Sequence, residues 1–197
     1  ISPGLSPQQT AALVDAATAQ GLWVGGELSL FAHALAGLAQ TQQYQPSILA
    51  ITGTNGKTTV TALTGELLRA AGKTVAVAGN IGPTLLDTLS QVLADGALPQ
   101  AWVLELSSFQ LHYGQGFEPT AAAVLNISQD HLDWHPDLAH YAASKARIFG
   151  AHSLMVLNRD DATVMAMLPA PVRAKQRLVE RAHVCFGVAA PQRPGDY

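Results

Sequence analysis

The run from Gly53 to Thr59 has the residue types of a loop that holds phosphate groups. An apolar segment precedes it and a helix-favouring segment follows it, which is the strand–loop–helix context that such a loop requires. Successive backbone N–H groups and a helix start can bind phosphate oxygens. We therefore predict an ATP site in which Lys57 reaches the β- and γ-phosphates and the Thr58 hydroxyl binds Mg²⁺. The predicted loop residues are Gly53, Thr54, Asn55, Gly56, Lys57, Thr58 and Thr59.

This loop departs from the usual pattern at one position. The general phosphate loop has a glycine five residues before the Gly-Lys pair, and Ile51 stands there in this chain. The loop is therefore a shortened variant. An ordinary strand–turn–helix junction with a surface lysine is the alternative, and the agreement of strand, glycines, Lys-Thr pair and helix disfavours it.

A carboxylate interrupts an otherwise apolar segment between residues 101 and 106. Glu105 stands there, and a carboxylate in a strand that is covered on both faces is costly unless it is paired or binds a metal. Beside a phosphate loop, Mg²⁺ is the natural partner. A buried ion pair, or a strand-end residue that faces water, is the alternative.

A lysine lies on the apolar stripe of the helix expected over residues 137–149. Lys145 follows Tyr141 by four residues and precedes Ile148 by three, which places the three on one helix face. Burial would lower the pKa of the amine and make it available for chemistry. A lysine whose stem is buried and whose charge reaches water is the alternative.

Metal-capable side chains are dense between residues 130 and 135. His131 and His135 could pair on zinc, but the glutamate of the HExxH arrangement and a third ligand are both missing. A His131 that is linked to Mg²⁺ or contacts substrate is the better interpretation. We expect Asp133 and His135 to cap and solvate the loop.

Two further segments follow expected strands. Asn80 lies between Gly79 and Gly82, which indicates close approach of the backbone to another group, with a plain turn as the alternative. The run that begins at Ser107 lacks the Gly-x-Ser-x-Gly pattern of a serine nucleophile. Its serines are therefore expected to cap a helix or to bind substrate.

Composition sets broader limits. The chain has 197 residues, of which 48% are hydrophobic and 13% are charged, with a net charge of −3. No broad basic field would attract nucleic acid or an anionic membrane. The single cysteine, Cys185, lies in an apolar segment and is expected to be a buried core residue in a reducing compartment. We find neither a membrane span nor a signal peptide, and because the chain opens on Ile1 we expect a piece of a longer polypeptide.

The periodicity predicts an α/β fold with a mostly parallel sheet. A helix follows the N-cap Ser6 and runs to residue 20, and a second covers residues 27–39, with a short strand at 22–24 between them and a linker at 41–46. Further strands are expected at residues 47–52, 74–78, 101–106, 121–127, 153–158 and 182–186. Further helices are expected at residues 57–71, 83–93, 137–149 and 161–168. On the first of these, Val60, Leu63, Leu67 and Leu68 are expected to face inward.

With these residues assembled, the chain resembles the Mur ligases, a family of ATP-dependent amide-bond-forming enzymes of peptidoglycan precursor synthesis. The family's own phosphate loop accounts for the glycine that is missing at Ile51. The resemblance covers Ser2 to about Gly187. Besides the loop, the runs that carry it are residues 2–4, 26–31, 79–82, 104–111, 125–127, 130–133 and 141–148.

The resemblance implies a domain organisation. Residues 47–197 would form an incomplete central P-loop ATPase domain, and residues 1–46 the end of a Rossmann-like, UDP-binding N-terminal domain with its linker. The C-terminal domain that binds the amino acid would be absent. We therefore expect that this chain alone cannot complete a ligation.

The resemblance also implies roles for single residues. Thr58 and Glu105 would hold the Mg²⁺ that bridges the β- and γ-phosphates, while His131 and a carbamylated Lys145 would serve a second Mg²⁺. The residues implied to approach a UDP-sugar substrate are Asn80, His131, Ser107 and Gln110. Lys57, His131 and Lys145 would be the catalytic set.

The run Glu-Leu-Ser-Ser-Phe-Gln at residues 105–110 points to the branch of the family that adds D-glutamate to UDP-N-acetylmuramoyl-L-alanine through an acyl phosphate. The implied protein is a cytoplasmic monomer that takes part in cell wall biogenesis and cell division. The alternatives are another family member, including a folylpolyglutamate-synthase type, and a nucleotide-switch ATPase that performs no synthesis.

Overall fold

The computed structural model describes residues 1–131, 133–174, 177–191 and 193–197. The helices are α1 (Pro7–Ala19), α2 (Glu27–Gln42), α3 (Lys57–Ala70), α4 (Leu85–Ala94), α5 (Ser108–His112), α6 (Leu138–Ala146) and α7 (Ala162–Met165). The strands are β1 (Ser47–Thr52), β2 (Val75–Gly79), β3 (Ala101–Glu105), β4 (Ala121–Val124), β5 (Leu154–Asn158), β6 (Val172–Ala174), β7 (Arg177–Val179) and β8 (His183–Phe186). A 3₁₀ turn, Arg147–Phe149, continues α6.

Six strands form one parallel sheet in the order β2-β3-β1-β4-β5-β8. The predicted α/β class and parallel sheet are therefore confirmed. Because the strands are parallel, their carboxyl ends share one edge, where ligands bind in open α/β sheets. The register places Glu105, the last residue of β3, opposite Ile51 of β1 and opposite Gly79 of β2.

The largest hydrophobic cluster joins helices to one face of the sheet. Trp102 of β3 is fully buried and meets Phe31 of α2 edge to face, with ring centroids 5.0 Å apart. Its indole nitrogen donates a hydrogen bond to the Tyr44 hydroxyl at 2.8 Å. Thus α2 packs into the same core as the sheet, while the division of the chain into two domains at residue 46 stays a prediction.

Helix α3 covers the opposite face, where two of the four residues expected to face inward pack against the sheet and small residues bring the helix close. Thr61 and Gly65 are buried, and a Cβ added at Gly65 would lie 2.8 Å from a methyl group of Val77. This close approach turns the expected inward residues Leu63 and Leu67 away from the sheet, where they are 57% and 63% exposed. Their prediction as core residues was wrong, because small residues at two positions of the helix determine which side meets the strands.

Several element boundaries also differ from the sequence prediction. Residues 22–24 form no strand, since the Leu22 amide instead bonds back to the carbonyl of Ala17 at the end of α1. Helix α2 continues to Gln42 and shortens the expected linker, and β4 ends at Val124 rather than at residue 127. An antiparallel pair, β6 with β7, was not predicted. Within the described residues, no helix is long and apolar enough to span a bilayer.

Candidate active site

The phosphate loop joins the end of β1 to the start of α3 at the carboxyl edge of the sheet. Gly56 is the N-cap of α3 with φ +80°, a conformation that glycine adopts without a Cβ penalty. No side chain caps α3, and its first turn contains no acidic residue. Side chains do cap five other helices, from Ser6, Thr84, Ser107, Asp137 and Asp161. The first-turn amides of α3 are therefore available to an external anion.

The end of β4 anchors the loop from beside it. The amide of Asn55 donates to the side-chain oxygen of Asn126 at 2.8 Å, and the Asn126 amide group donates back to the Asn55 carbonyl at 3.1 Å. The Thr54 amide donates to the Asn126 carbonyl at 2.9 Å. Sequence reasoning quoted Asn126 only within a family motif, although a polar residue near the end of an expected buried strand was a usable signal.

Lys57 is half-buried and folds back over its own loop. Its ammonium group donates to the carbonyl of Gly53 at 3.0 Å and to that of Thr54 at 2.9 Å. These carbonyls hold the charge beside the open helix start. A phosphate group placed there would offer the ammonium a charged acceptor instead of two neutral ones, which gives a stronger hydrogen bond.

Glu105 is 1% exposed, and its carboxylate lies beside the phosphate loop. The Thr58 hydroxyl donates to Oε2 at 2.9 Å, and the side-chain amide of Asn80 donates to Oε1 at 3.3 Å. Among the salt bridges of the described residues, none involves Glu105. A buried carboxylate whose hydrogen-bond donors are all neutral is a group that a cation would stabilise. Together with the Thr58 hydroxyl it forms an oxygen donor set of the kind that Mg²⁺ takes, so the residues fit this metal.

The backbone brings Asn80 to this carboxylate. Gly79 has φ +131°, and any Cβ at this position would collide with the carbonyl oxygen of Glu105. The backbone amide of Asn80 donates to that same carbonyl at 2.8 Å. The expected close approach around Asn80 is therefore present, and the group approached is the end of β3.

Lys145 is 2% exposed, which confirms that it faces inward from α6. Its ammonium donates to the Gly53 carbonyl at 3.0 Å and to the Thr52 hydroxyl at 3.3 Å, and it lies 4.7 Å from the centre of the Tyr141 ring. Burial and the charge of Lys57 lower the pKa of this amine to about 7, although Asp130 and Glu105 act in the opposite direction. The amine is therefore partly neutral, and nucleophilic, near pH 7.

His131 lies on the exposed side of the same edge. It has φ +53°, which is uncommon for a residue with a Cβ, and its ring nitrogen lies 3.5 Å from the Asp130 carboxylate. Its ring packs edge-on against Phe109 at 4.8 Å and lies 6.4 Å from that of Tyr141. His131 and Lys145 thus both lie near the Tyr141 ring.

His135 contradicts the expectation of a solvated loop residue, because it is 0% exposed. Its Nε2 lies 2.9 Å from the Ser108 hydroxyl and its Nδ1 lies 3.1 Å from Nδ1 of His140. Burial and the neighbouring charges of His140 and His112 lower the pKa of His135 to about 4, so the ring is neutral near pH 7. Within the described residues, no group of three or more His, Cys, Asp and Glu side chains is placed to hold a metal ion.

Ser107 and Gln110 have a structural role. Ser107 is the N-cap of α5, where its hydroxyl accepts from the Gln110 amide at 3.2 Å while the Gln110 side chain accepts from the Ser107 amide at 3.0 Å. This reciprocal capping box confirms that the serine run caps a helix. A contact of either residue with substrate stays a prediction.

Two other residues of the site escaped the sequence analysis. Thr52, fully buried at the end of β1, donates to the Leu106 carbonyl at 2.7 Å and accepts from Lys145. The Tyr141 hydroxyl lies 3.2 Å from that of Thr54 in the phosphate loop. Tyr141 was noted in an apolar stripe and in a family run, and neither reveals what the tip of a tyrosine meets.

The comparisons with known proteins agree with this geometry. The profile of the Mur ligase middle domain matches residues 51–180. Over its whole length the chain is 64% identical to the UDP-N-acetylmuramoylalanine–D-glutamate ligase of Albidiferax ferrireducens and, in a 199-residue alignment, 56% identical to that of Burkholderia vietnamiensis. In both comparisons it spans only 39% of the relative's length.

Among solved structures, the chain is similar to a UDP-N-acetylmuramoyl-L-alanyl-D-glutamate–2,6-diaminopimelate ligase. The two share 28% sequence identity with a TM-score of 0.64, over 84% of this chain and 37% of the other. The family profile covers well over half of the chain and includes Glu105, His131 and Lys145 as well as the whole phosphate loop. By its fold, its site and this match, the chain belongs to the Mur ligase family.

Proposed function

We propose that this chain is the ATP-binding part of a ligase that joins D-glutamate to UDP-N-acetylmuramoyl-L-alanine. The observation that carries the proposal is the convergence of three groups on one edge of the sheet: the uncapped start of α3, the Lys57 ammonium and the buried Glu105 carboxylate. An anion site beside a cation site suits a nucleoside triphosphate bound with Mg²⁺. The choice of D-glutamate rests on the names of the relatives that are 64% and 56% identical.

The reaction would proceed in two steps. The carboxylate of the alanyl substrate attacks the γ-phosphorus of ATP, so that a carboxyl–phosphate bond forms and ADP leaves. The amine of D-glutamate then attacks the acyl carbon, inorganic phosphate leaves, and the amine gives up a proton as the amide forms. The chain's part is to hold the reactants in line and to balance their negative charge.

Lys57 supplies the mobile charge in this scheme. Its present acceptors, the carbonyls of Gly53 and Thr54, lie within its own loop, so a modest change of side-chain torsions moves the ammonium onto the β- and γ-phosphates. The first-turn backbone amides of α3 would bind the same phosphates. Thr58 and Glu105 would hold Mg²⁺, which supplies further charge neutralisation when it is bound.

Lys145 is proposed to carry a carbamate. A neutral lysine amine adds to carbon dioxide, forms an N–C bond and releases one proton, which leaves a carbamate with one negative charge shared between two oxygens. The lowered pKa of about 7 keeps part of the amine neutral under ordinary conditions. Such a carbamate would offer oxygen ligands for a second Mg²⁺, and the His131 imidazole, which also lies near Tyr141, would offer a nitrogen ligand.

The UDP-sugar substrate is proposed to approach this edge from the side of Asn80 and His131. The side chain of His131 is exposed, and the Asn80 amide already faces the Glu105 carboxylate. Ser107 and Gln110 bond to each other, so any contact with substrate would have to come from the remaining hydrogen-bonding capacity of their side chains. A cytoplasmic location and a monomeric state stay predictions.

A nucleotide-switch ATPase is the alternative from a different functional class. It shares the loop and the sheet but has no need for a lysine buried against the loop. An exposed Lys145, distant from the phosphate site, would have favoured it. Lys145 is instead 2% exposed and bonded to Gly53, which supports the ligase.

The proposal is tested at two levels. Isothermal titration of the 197-residue chain with a non-hydrolysable ATP analogue should show binding that strengthens with Mg²⁺. Any longer form of the protein should release phosphate from ATP only when UDP-N-acetylmuramoyl-L-alanine and D-glutamate are both present. Phosphate release with a different amino acid would assign another member of the family, and dipeptide product from residues 1–197 alone would contradict the expectation that they cannot complete ligation.

A further inference from the structure

The buried imidazole of His135 contacts α5, which begins three residues after Glu105, and α6, which carries Lys145, and it belongs to the loop that carries His131. Its Nε2 meets the Ser108 hydroxyl, in the first turn of α5 and three residues after Glu105. Its Nδ1 meets His140 on α6, the helix that carries Lys145. Its own loop carries His131. One side chain therefore links the surroundings of Glu105, His131 and Lys145.

The backbone of His135 adds a third hydrogen bond. Its amide donates to the carbonyl of His131 at 2.9 Å, in a turn that also includes a 3.1 Å bond from the Trp134 amide. His131 adopts a positive φ, which a residue with a Cβ keeps only where the surroundings hold it. The turn that ends at the buried His135 provides this support.

The hydrogen-bond chemistry of the imidazole suits both contacts at once. A neutral ring has one N–H donor and one bare nitrogen acceptor, and a serine hydroxyl can donate or accept. Whichever nitrogen of His135 carries the proton, Ser108 and His140 can take the complementary roles. Because the ring is 0% exposed, losing either partner would leave a buried polar atom without a hydrogen bond, which is unfavourable.

We infer that His135 is a positioning residue: its imidazole holds the loop of His131 against the start of α5 and against α6, and so keeps Lys145 buried beside the phosphate loop. The assignment of a role in ligation rests on the proposed function. The mechanical part does not, since it concerns only how these elements are held together in the chain without any ligand.

The test measures how well Lys145 is protected. The 197-residue chain is labelled with acetic anhydride in buffer free of carbon dioxide, and acetylation of Lys145 is compared by mass spectrometry with that of the exposed Lys73. In the wild type, Lys145 should react much more slowly. His135→Ala should raise its relative rate about tenfold, the change expected from losing one buried hydrogen bond from a local opening equilibrium.

Three further variants separate positioning from general stability. His135→Gln places an amide near the position of Nε2 and should recover most of the protection, whereas Ser108→Ala should lose it. The matched control is His152→Ala, which changes an exposed histidine and should label like the wild type. Amide exchange of β5, measured in the same samples, should remain unchanged, because a merely destabilised fold would open there as well.

The outcomes are decisive in each case. A wild-type acetylation rate of Lys145 in His135→Ala would overturn the inference. So would a His135→Gln variant in which Lys145 is acetylated as fast as in His135→Ala. Should His135→Ala not fold, Ser108→Ala decides in the same way. Failure of the wild-type chain to bind an ATP analogue would count against the proposed function and would leave the labelling result standing.

Discussion

The two edges of the sheet contain polar groups of different kinds. At the amino ends of the strands, exposed side chains accept hydrogen bonds from backbone amides. The backbone amides of Thr74 and Gln100 each donate to the other residue's side-chain oxygen, and the Thr120 hydroxyl accepts from the Ile48 amide. At the carboxyl ends, Glu105 and Lys145 are charged or chargeable groups with almost no exposure.

The difference lies in what each set accomplishes for the fold. The amino-edge bonds satisfy strand ends that water could also satisfy, so each contributes little. The carboxyl edge retains a buried carboxylate without an ion-pair partner among the described residues and an amine whose pKa is lowered to about 7. Such groups cost stability by themselves, and this cost is understandable if a cation and an anion bind there.

Removing the Lys57 charge should have the largest effect. We expect Lys57→Ala to weaken the binding of an ATP analogue by about 10- to 100-fold, since a charged hydrogen bond to phosphate contributes about 1.5–3 kcal/mol. Isothermal titration in Mg²⁺ measures this. Lys73→Ala, at an exposed position, is the control, and equal losses in both variants would mean that only the overall charge matters.

Neutralising Glu105 should separate metal binding from stability. In Glu105→Gln the gain in nucleotide affinity that Mg²⁺ provides should fall about tenfold, whereas the free energy of unfolding should stay the same or rise by about 1 kcal/mol, because a lone buried charge is removed. Titrations with and without Mg²⁺, together with urea denaturation, measure both quantities. A large loss of stability would show that the carboxylate has a structural partner in solution.

Lys145 should make the stability depend on pH. The folded chain holds the amine with a pKa of about 7, below its ordinary value of 10.5, so the unfolded state binds more protons between these values. Stability should therefore rise with pH across that window, by roughly 1 kcal/mol per unit from this group, with the full penalty present below pH 7. Lys145→Met should flatten the slope of urea-denaturation free energy between pH 7 and 9.

That measurement needs buffer free of carbon dioxide, because a carbamate would remove the titrating amine. An unchanged slope in Lys145→Met would contradict the buried, partly neutral amine. It would also weaken the contrast between the two edges, since Lys145 would then behave like a surface group.

A change at the amino edge should have the smallest effect. Thr74→Val removes the acceptor of the 2.9 Å bond from the Gln100 amide, at an exposed position where water can replace it. We expect a loss of about 0.5 kcal/mol or less in the free energy of unfolding. Affinity for an ATP analogue should not change, and a measurable change would mean that the two edges are coupled.

Much of the site could be predicted from local patterns. The glycines and the Lys-Thr pair after an apolar strand indicated the phosphate loop, and a single carboxylate in an apolar run indicated Glu105. The inward position of Lys145 followed from helical spacing alone. In each case the signal lay within one element, where periodicity and residue type are sufficient.

The errors arose where the answer depended on contacts between elements. His135 was expected in solvent, yet it is buried, because Ser108 and His140 come from two other elements to meet it. Leu63 and Leu67 were expected in the core, yet Gly65 lets α3 approach β2 so closely that Thr61 and Gly65 are buried in their place.

The sequence by itself therefore determined the chemical groups of this protein: a loop for phosphate, a carboxylate, an amine and an alternation of strands and helices. Only the tertiary structure decided which of them meet. The strand order places β3 between β1 and β2, so that Thr58, Glu105 and Asn80 converge although 25 and 47 residues separate their bonded pairs. Periodicity records which side of an element is buried, whereas the partner across the interface is fixed by how the elements pack.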